Sequence, residues 1–191
     1  MRCFIALDIS DEIRKAIAGM IQKASIGVRG IRWVSAENIH LTLKFLGEVK
    51  EELIPEMQKR LSEACARHKA FPINIRGTGA FPNPKYPNVL WVGIDKSEEL
   101  KRLYLDIDEA MSSLGFEKED RDFSPHLTIG RVKDKRGIEP ALKELYTFKD
   151  AFFGSIDVTE ILLMKSVLKS SGAEYSKIAV FRLSRLERQK N

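Results

Sequence analysis

Two of the three histidines in this 191-residue chain stand in the same short pattern, His40-Leu41-Thr42 and His126-Leu127-Thr128. With five threonines present, a given histidine meets one two positions later about once in forty trials, so two matches in three arise in roughly one random chain in several hundred. An imidazole, with an ordinary pKa of about 6.5, gives or takes a proton near neutral pH. A threonine hydroxyl donates a hydrogen bond to an oxygen on which negative charge grows. Two such sets suit the in-line opening of a phosphodiester, where one group takes a proton from the attacking oxygen and another protonates the leaving oxygen from the opposite side.

Other chemistries fit the doubled pattern less well. A zinc site needs three or four ligands, and no Asp, Glu or Cys accompanies either histidine at ligand spacing. A serine nucleophile on a sharp turn would carry G-x-S-x-G, which is absent. Cys3 and Cys65 are the only cysteines, with no C-x-x-C, so neither a thiolate metal site nor a disulfide framework is indicated. The third histidine, His68, follows a helical pattern and reads as a structural residue near that helix's C-terminus.

The elements that position these residues follow from periodicity. In residues 39–45, Ile39, Leu41, Leu43 and Phe45 alternate with His40, Thr42 and Lys44, which predicts a strand burying the odd positions. The second motif predicts the same, with Leu127 and Ile129 inward and His126 and Thr128 outward. On a strand, residues two apart lie about 6.5 Å apart on one face, so each His–Thr set can reach one small anion. Arg131 offers a planar fork suited to phosphate, but its parity is opposite to His126, so it reaches the site only if the strand ends or bulges. Lys44 has the site's parity.

Amphipathic stripes predict helices at Ile13 to Ala24, Leu53 to Cys65 and Leu100 to Leu114, and a short one from Pro140 to Tyr146. Strands are expected near residues 2–8, 31–34, 71–75, 89–94, 152–158, 161–165 and 175–183, the last two joined by a turn at Ser170-Ser171-Gly172. Residues 77–88, with Gly77, Gly79, Pro82, Pro84 and Pro87, read as a long loop whose Phe81 and Tyr86 either stack on a base or pack the loop down. One offset relates the two halves: 86 between the histidines, 87 between Asp8 and Asp95, each Asp followed by a helix cap, two acids and an aliphatic. The expectation is an α+β fold, one bilobal domain over residues 1–191. Its two pseudo-symmetric lobes span roughly 2–77 and 89–158, with C-terminal strands added. Each lobe is a mainly antiparallel sheet with helices on its outer face, and the two face a central cleft.

Composition sets the remaining bounds. Hydrophobic residues at 43% and charged ones at 31% are those of an ordinary globular chain. A formal charge of +5 and pI near 9.2 suit an anionic partner. Part of the excess is a basic tail with Arg182, Arg185, Arg188 and Lys190. No apolar run is long enough to span a membrane, and Asp8 comes too early for a signal peptide, so a soluble, cytoplasmic monomer is expected.

The motifs His40-Leu41-Thr42-Leu43 and His126-Leu127-Thr128-Ile129 resemble the doubled H-x-T-x signature of the 2H phosphoesterase superfamily. Their surroundings, including Arg32-Trp33-Val34, Asn38-Ile39 and Lys44-Phe45-Leu46-Gly47-Glu48 on one side and Ser124-Pro125 and Gly130-Arg131 on the other, resemble its RNA 2',3'-cyclic phosphodiesterase branch, also called 2'-5' RNA ligase. The resemblance implies hydrolysis of a terminal 2',3'-cyclic phosphate on RNA to a 2'-phosphomonoester without metal or other cofactor. It also implies His40 as proton donor to the 3' oxygen, His126 as the base activating water, and Thr42, Thr128 and Arg131 as phosphate ligands. The residues themselves leave open which histidine is which. Alternatives are 2'-5' joining of RNA ends as the main role, hydrolysis of a small cyclic-phosphate nucleotide, or a module that binds RNA ends without turnover. An ATP-driven ligase is disfavoured, because neither G-x-x-x-x-G-K-[ST] nor K-x-D-G is present. Binding alone would be served by Arg or Lys, so two intact histidines favour an enzyme.

Overall fold

The computed structural model describes residues 1–169 and 172–184, so the tail residues Arg185, Arg188 and Lys190 and the turn residues Ser170 and Ser171 lie outside the described residues. The fold is α+β. In chain order it runs β1 (Arg2–Leu7), α1 (Asp11–Ala24), β2 (Ile31–Trp33), β3 (Leu41–Glu48), α2 (Ile54–Ala66), β4 (Phe71–Phe81), β5 (Val89–Ile94), α3 (Glu98–Ser112), β6 (His126–Val132), α4 (Glu139–Tyr146), β7 (Phe152–Val158), β8 (Glu160–Lys169) and β9 (Gly172–Arg182).

Each helix begins where its sequence supplies a start. Ser10 and Ser97, 87 residues apart, cap α1 and α3 by accepting from the backbone N–H of Ile13 and Leu100, and acids follow in the first turn of both. Pro55 and Pro140 open α2 and α4, where a missing N–H costs nothing. The apolar stripes of α1 and α3, from Ile13 to Ala24 and from Leu100 to Met111, enter one core with Cys3, Ile5, Leu7, Leu41, Leu43, Leu127 and Ile129. The opposite face of these strands is free of helices and carries Thr42 and Thr128.

The strands form a single sheet in the order β7-β4-β5-β6-β3-β1-β8-β9, antiparallel throughout, with β2 also on β6. Two four-strand halves are therefore joined edge to edge. Their junction is narrow: β3 and β6 share one registered pair, Leu41 opposite Leu127. Beyond it the edge of β6 passes to β2, through the Val34 N–H donating to the Ile129 carbonyl and then Trp33 opposite Gly130.

The strand partners differ from those expected. β4 lies beside β5 and β7 rather than in the first half, whose third strand is β8. A short hairpin connection to β5 captures β4, so the halves exchange strands and residues 2–77 do not form one lobe. The helices also cross: α1 packs on α4 and β7, and α3 on α2 and β3. The loop expected over 77–88 is shorter, because β4 runs on to Phe81. Gly79 belongs to that strand because the indole of Trp91 lies across it, and a Cβ there would fall 2.3 Å from the ring.

The most consequential correction is a β-bulge. Along β1, Ala6 faces Thr42 but Ile5 faces Lys44, leaving Leu43 as an extra residue that reverses the parity of Lys44 and Phe45. Lys44, of site parity in the sequence, instead turns into the core at 7% exposure and pairs with Asp108 of α3, itself 2% exposed. Lys44 Nζ also donates to the Glu117 carbonyl at 2.7 Å. Phe45, expected inward, is 68% exposed on the helix-free face.

Removing one member of a buried ion pair strands the other charge. Asp108→Ala should therefore lower the unfolding free energy by about 3–5 kcal/mol, and Lys44→Met combined with Asp108→Leu should recover most of that loss in urea denaturation. A single variant as stable as the parent chain would show that the pair does not hold the bulge.

Candidate functional site

The Leu41–Leu127 pair, 86 residues apart, sits where the two halves meet, and both leucines are fully buried on the helix side. In an antiparallel ladder the residues flanking such a pair face each other crosswise. His40 is thus set beside Thr128 and Thr42 beside His126, all on the helix-free face. The structure brings the four motif residues to one junction.

Each imidazole is oriented by the same bond. His40 Nδ1 lies 2.7 Å from the Asn38 carbonyl and His126 Nδ1 2.8 Å from the Ser124 carbonyl, again 86 residues apart. A carbonyl only accepts, so both Nδ1 atoms carry the hydrogen and Nε2 is the atom that gains or loses a proton. In the neutral ring, Thr42 donates its hydroxyl to His40 Nε2 at 3.0 Å. The matching bond is not among the contacts of His126 within the described residues.

The surroundings of the two rings differ. His40 stacks on Phe4 with centroids 4.9 Å apart and takes the edge of Tyr175 at 5.3 Å. It lines a recess of about 260 Å³ with Phe4, Ala6, Leu162, Met164 and Tyr175. Burial there pushes its pKa below 6.5; the Asn38 carbonyl and the Asp8 carboxylate oppose that shift only in part, and Arg14 adds to it. His126 is more open and meets the edge of Phe81 at 4.9 Å. A larger hollow of about 350 Å³, around Ile9, Ser10, Asp157 and Thr159, contains no histidine.

Arg131 reaches the site face by the route its parity requires. Thr128 faces Trp91 but Gly130 faces Leu90, so Ile129 is an extra residue in β6. This bulge is the counterpart of the one at Leu43, at the same 86-residue offset. Arg131 then lies opposite Val89, on the face of Thr128 and His126, and is exposed.

Sequence reasoning missed the residues that hold the first motif in place. Arg14 of α1 donates through Nη1 to the carbonyls of Ala36 at 2.8 Å and Ile39 at 3.0 Å. Between those anchors, Asn38 donates through Nδ2 to the Ala173 carbonyl on β9 at 2.9 Å, tying the β8–β9 hairpin to the segment before His40. Phe4 and Tyr175 were also missed. β1 is buried on both faces, which erases the alternation that would have marked Phe4. Phe81 packs on Trp91 as well as His126, so it serves both the packing and the site. Tyr86 is exposed, with the Lys135 ammonium 5.9 Å above its ring. His68 binds Asp106 of α3 at 2.8 Å, a structural role. Among the described residues no three His, Cys, Asp or Glu side chains gather as a metal cluster, and no helix is long and apolar enough to cross a membrane.

Comparison with known proteins gives a consistent set of likenesses. The family model described as the 2'-5' RNA ligase superfamily matches residues 9–169. An RNA 2',3'-cyclic phosphodiesterase of Archaeoglobus fulgidus is 40% identical over 181 residues, covering 95% of this chain and 99% of the relative. That of Methanocaldococcus jannaschii is 37% identical over 178 residues, covering 93% and 98%. Among solved structures, TT0787 of Thermus thermophilus superposes with a TM-score of 0.81 at 28% identity, covering 96% of this chain and 98% of that one. E. coli LigT complexed with 3'-AMP gives 0.71 at 26% identity, covering 95% and 97%.

The burial of His40 has a direct spectroscopic consequence. An NMR titration of its imidazole in the ligand-free protein should show a midpoint below 6.5. A midpoint above that value would mean that charge, not desolvation, governs the ring.

Proposed function

Since the chain belongs to the 2'-5' RNA ligase superfamily, in its RNA 2',3'-cyclic phosphodiesterase branch, we propose that it hydrolyses the terminal 2',3'-cyclic phosphate of RNA to a 2'-phosphomonoester with His40 and His126 as paired acid and base. One observation carries the reading: two His–Thr sets flank a single ladder pair on one face, each ring tied through Nδ1 so that Nε2 is the working atom.

In this mechanism the phosphorus lies between the two sets. His126 Nε2 takes a proton from water, and the resulting oxygen nucleophile attacks phosphorus opposite the 3' oxygen. The P–O3' bond breaks as His40 Nε2–H gives its proton to that oxygen, leaving a 3'-hydroxyl and a 2'-phosphate. Thr42, Thr128 and Arg131 donate to the non-bridging oxygens, whose charge grows in the transition state. In this reading hydroxyl and guanidinium donors, rather than a metal, carry the charge that grows on the phosphate. His40 must begin charged although burial favours its neutral form, and the anionic substrate supplies the opposing field that raises its pKa on binding. Assignment of acid to His40 and base to His126 follows the family resemblance of the two motifs.

His40→Ala and His126→Ala should each reduce turnover of an RNA ending in a 2',3'-cyclic phosphate by about 10²–10⁴-fold with the thermal unfolding midpoint kept. The double variant should lose less than the product of the two, since acid and base act as a unit. The product should be a 2'-phosphate and the rate should survive EDTA; a 3'-phosphate, a joined strand or loss of activity on chelation would overturn the proposal. A nucleoside 2'-phosphate should raise the NMR midpoint of His40, and an unmoved midpoint would place the phosphate elsewhere.

A further inference from the structure

On the helix-free face, Arg32 of β2 stands directly opposite Arg131 of β6. Like charges at facing ladder positions repel, and both side chains are exposed without an ion-pair partner among the described residues. The flanking residues show that this face is the site's own. Ile31 and Trp33, on the other side of β2, pack toward Gly130 and the core, where a Cβ on Gly130 would come within 3.0 Å of Ile31 and 3.1 Å of Trp33. That leaves Arg32 and Arg131 on the face of His126 and Thr128.

The position of the pair is set by the bulge at Ile129. Thr128 faces Trp91 and Arg131 faces Val89, two residues further along β5. The two arginines therefore branch from the sheet one same-face step, about 7 Å, beyond Thr128. That step matches the stride between neighbouring phosphates on an extended single strand. Arg32 also reaches across the junction, its Nη2 lying 3.7 Å from where a Cβ would stand on Gly172 in β9. Its charge thus lies between β2 and β9.

Resting on the hydrolase reading above, in which Arg131 serves the cyclic phosphate, we propose that Arg32 beside it forms a second phosphate subsite that holds the internucleotide phosphate immediately 5' of the cyclic one. Repulsion between these neighbouring positive charges is relieved when each holds a phosphate oxygen. The subsite makes the preferred substrate an RNA end with at least one further phosphate rather than a lone cyclic nucleotide. It also gives the strand a polarity, entering over β2 and β6.

The test is equilibrium binding of two product-like probes, a nucleoside 2'-phosphate and a dinucleotide ending in a 2'-phosphate, across a salt series. The parent chain should bind the dinucleotide at least tenfold more tightly. Arg32→Gln should remove most of that ratio and reduce the log–log salt slope for the dinucleotide by about 0.7, the loss of one phosphate contact on a single strand. Arg32→Lys should keep the slope, since it keeps the charge. Equal binding of both probes by the parent chain, or an unchanged ratio and slope in Arg32→Gln, would overturn the subsite. Turnover of a cyclic-phosphate RNA is assayed in parallel. Its absence with the slope change intact would sink the hydrolase reading alone.

Discussion

One backbone pairing, Leu41 against Leu127, decides where the two His–Thr motifs meet. It is the only registered contact between β3 and β6 among the described residues, and through it two half-sheets become one. Because side chains alternate on a strand, burying these two leucines beneath the helices drives the residues on either side of them to the opposite face. Those residues are His40, Thr42, His126 and Thr128. The core thus orients the motifs, and a slip of one residue in either strand would turn its own His and Thr inward.

The paired bulges at Leu43 and Ile129 add a second constraint, also repeated across the halves. Each inserts one residue just after a motif and reverses the parity of the residues that follow it, in β3 as far as Phe45. In β6 this lifts Arg131 onto the site face. In β3 it lifts Phe45 there and sends Lys44 into the core, where Asp108 and the Glu117 carbonyl satisfy its charge. Equivalent positions in the two halves therefore carry an aromatic ring on one side and a guanidinium on the other. The scaffold is symmetric, and the chemistry it presents is not.

The two imidazoles show the same division. A shared bond from Nδ1 to a carbonyl two residues earlier fixes both rings, yet His40 is packed between Phe4 and Tyr175 while His126 meets Phe81 and opens outward. Burial lowers the proton affinity of the His40 ring in the free protein, and Arg14 and Asn38 hold the segment that keeps the ring buried.

Much of this was written in the residue order. The caps at Ser10 and Ser97, the helical stripes, the alternation around each His–Thr motif and the 86-residue offset are local patterns, and the structure keeps the elements they predict. The motif residues were legible because a catalytic residue type recurred in one context. Strand partners were not, because pairing joins distant segments and periodicity says nothing of which edge a strand will find; β4 therefore left the half that its position in the chain suggested. Nor were the bulges, since an extra residue in one strand exists only relative to its partner. That is why Lys44, Phe45 and Arg131 changed sides: their identities were in the sequence, but their faces were decided only when β1 and β5 paired with β3 and β6.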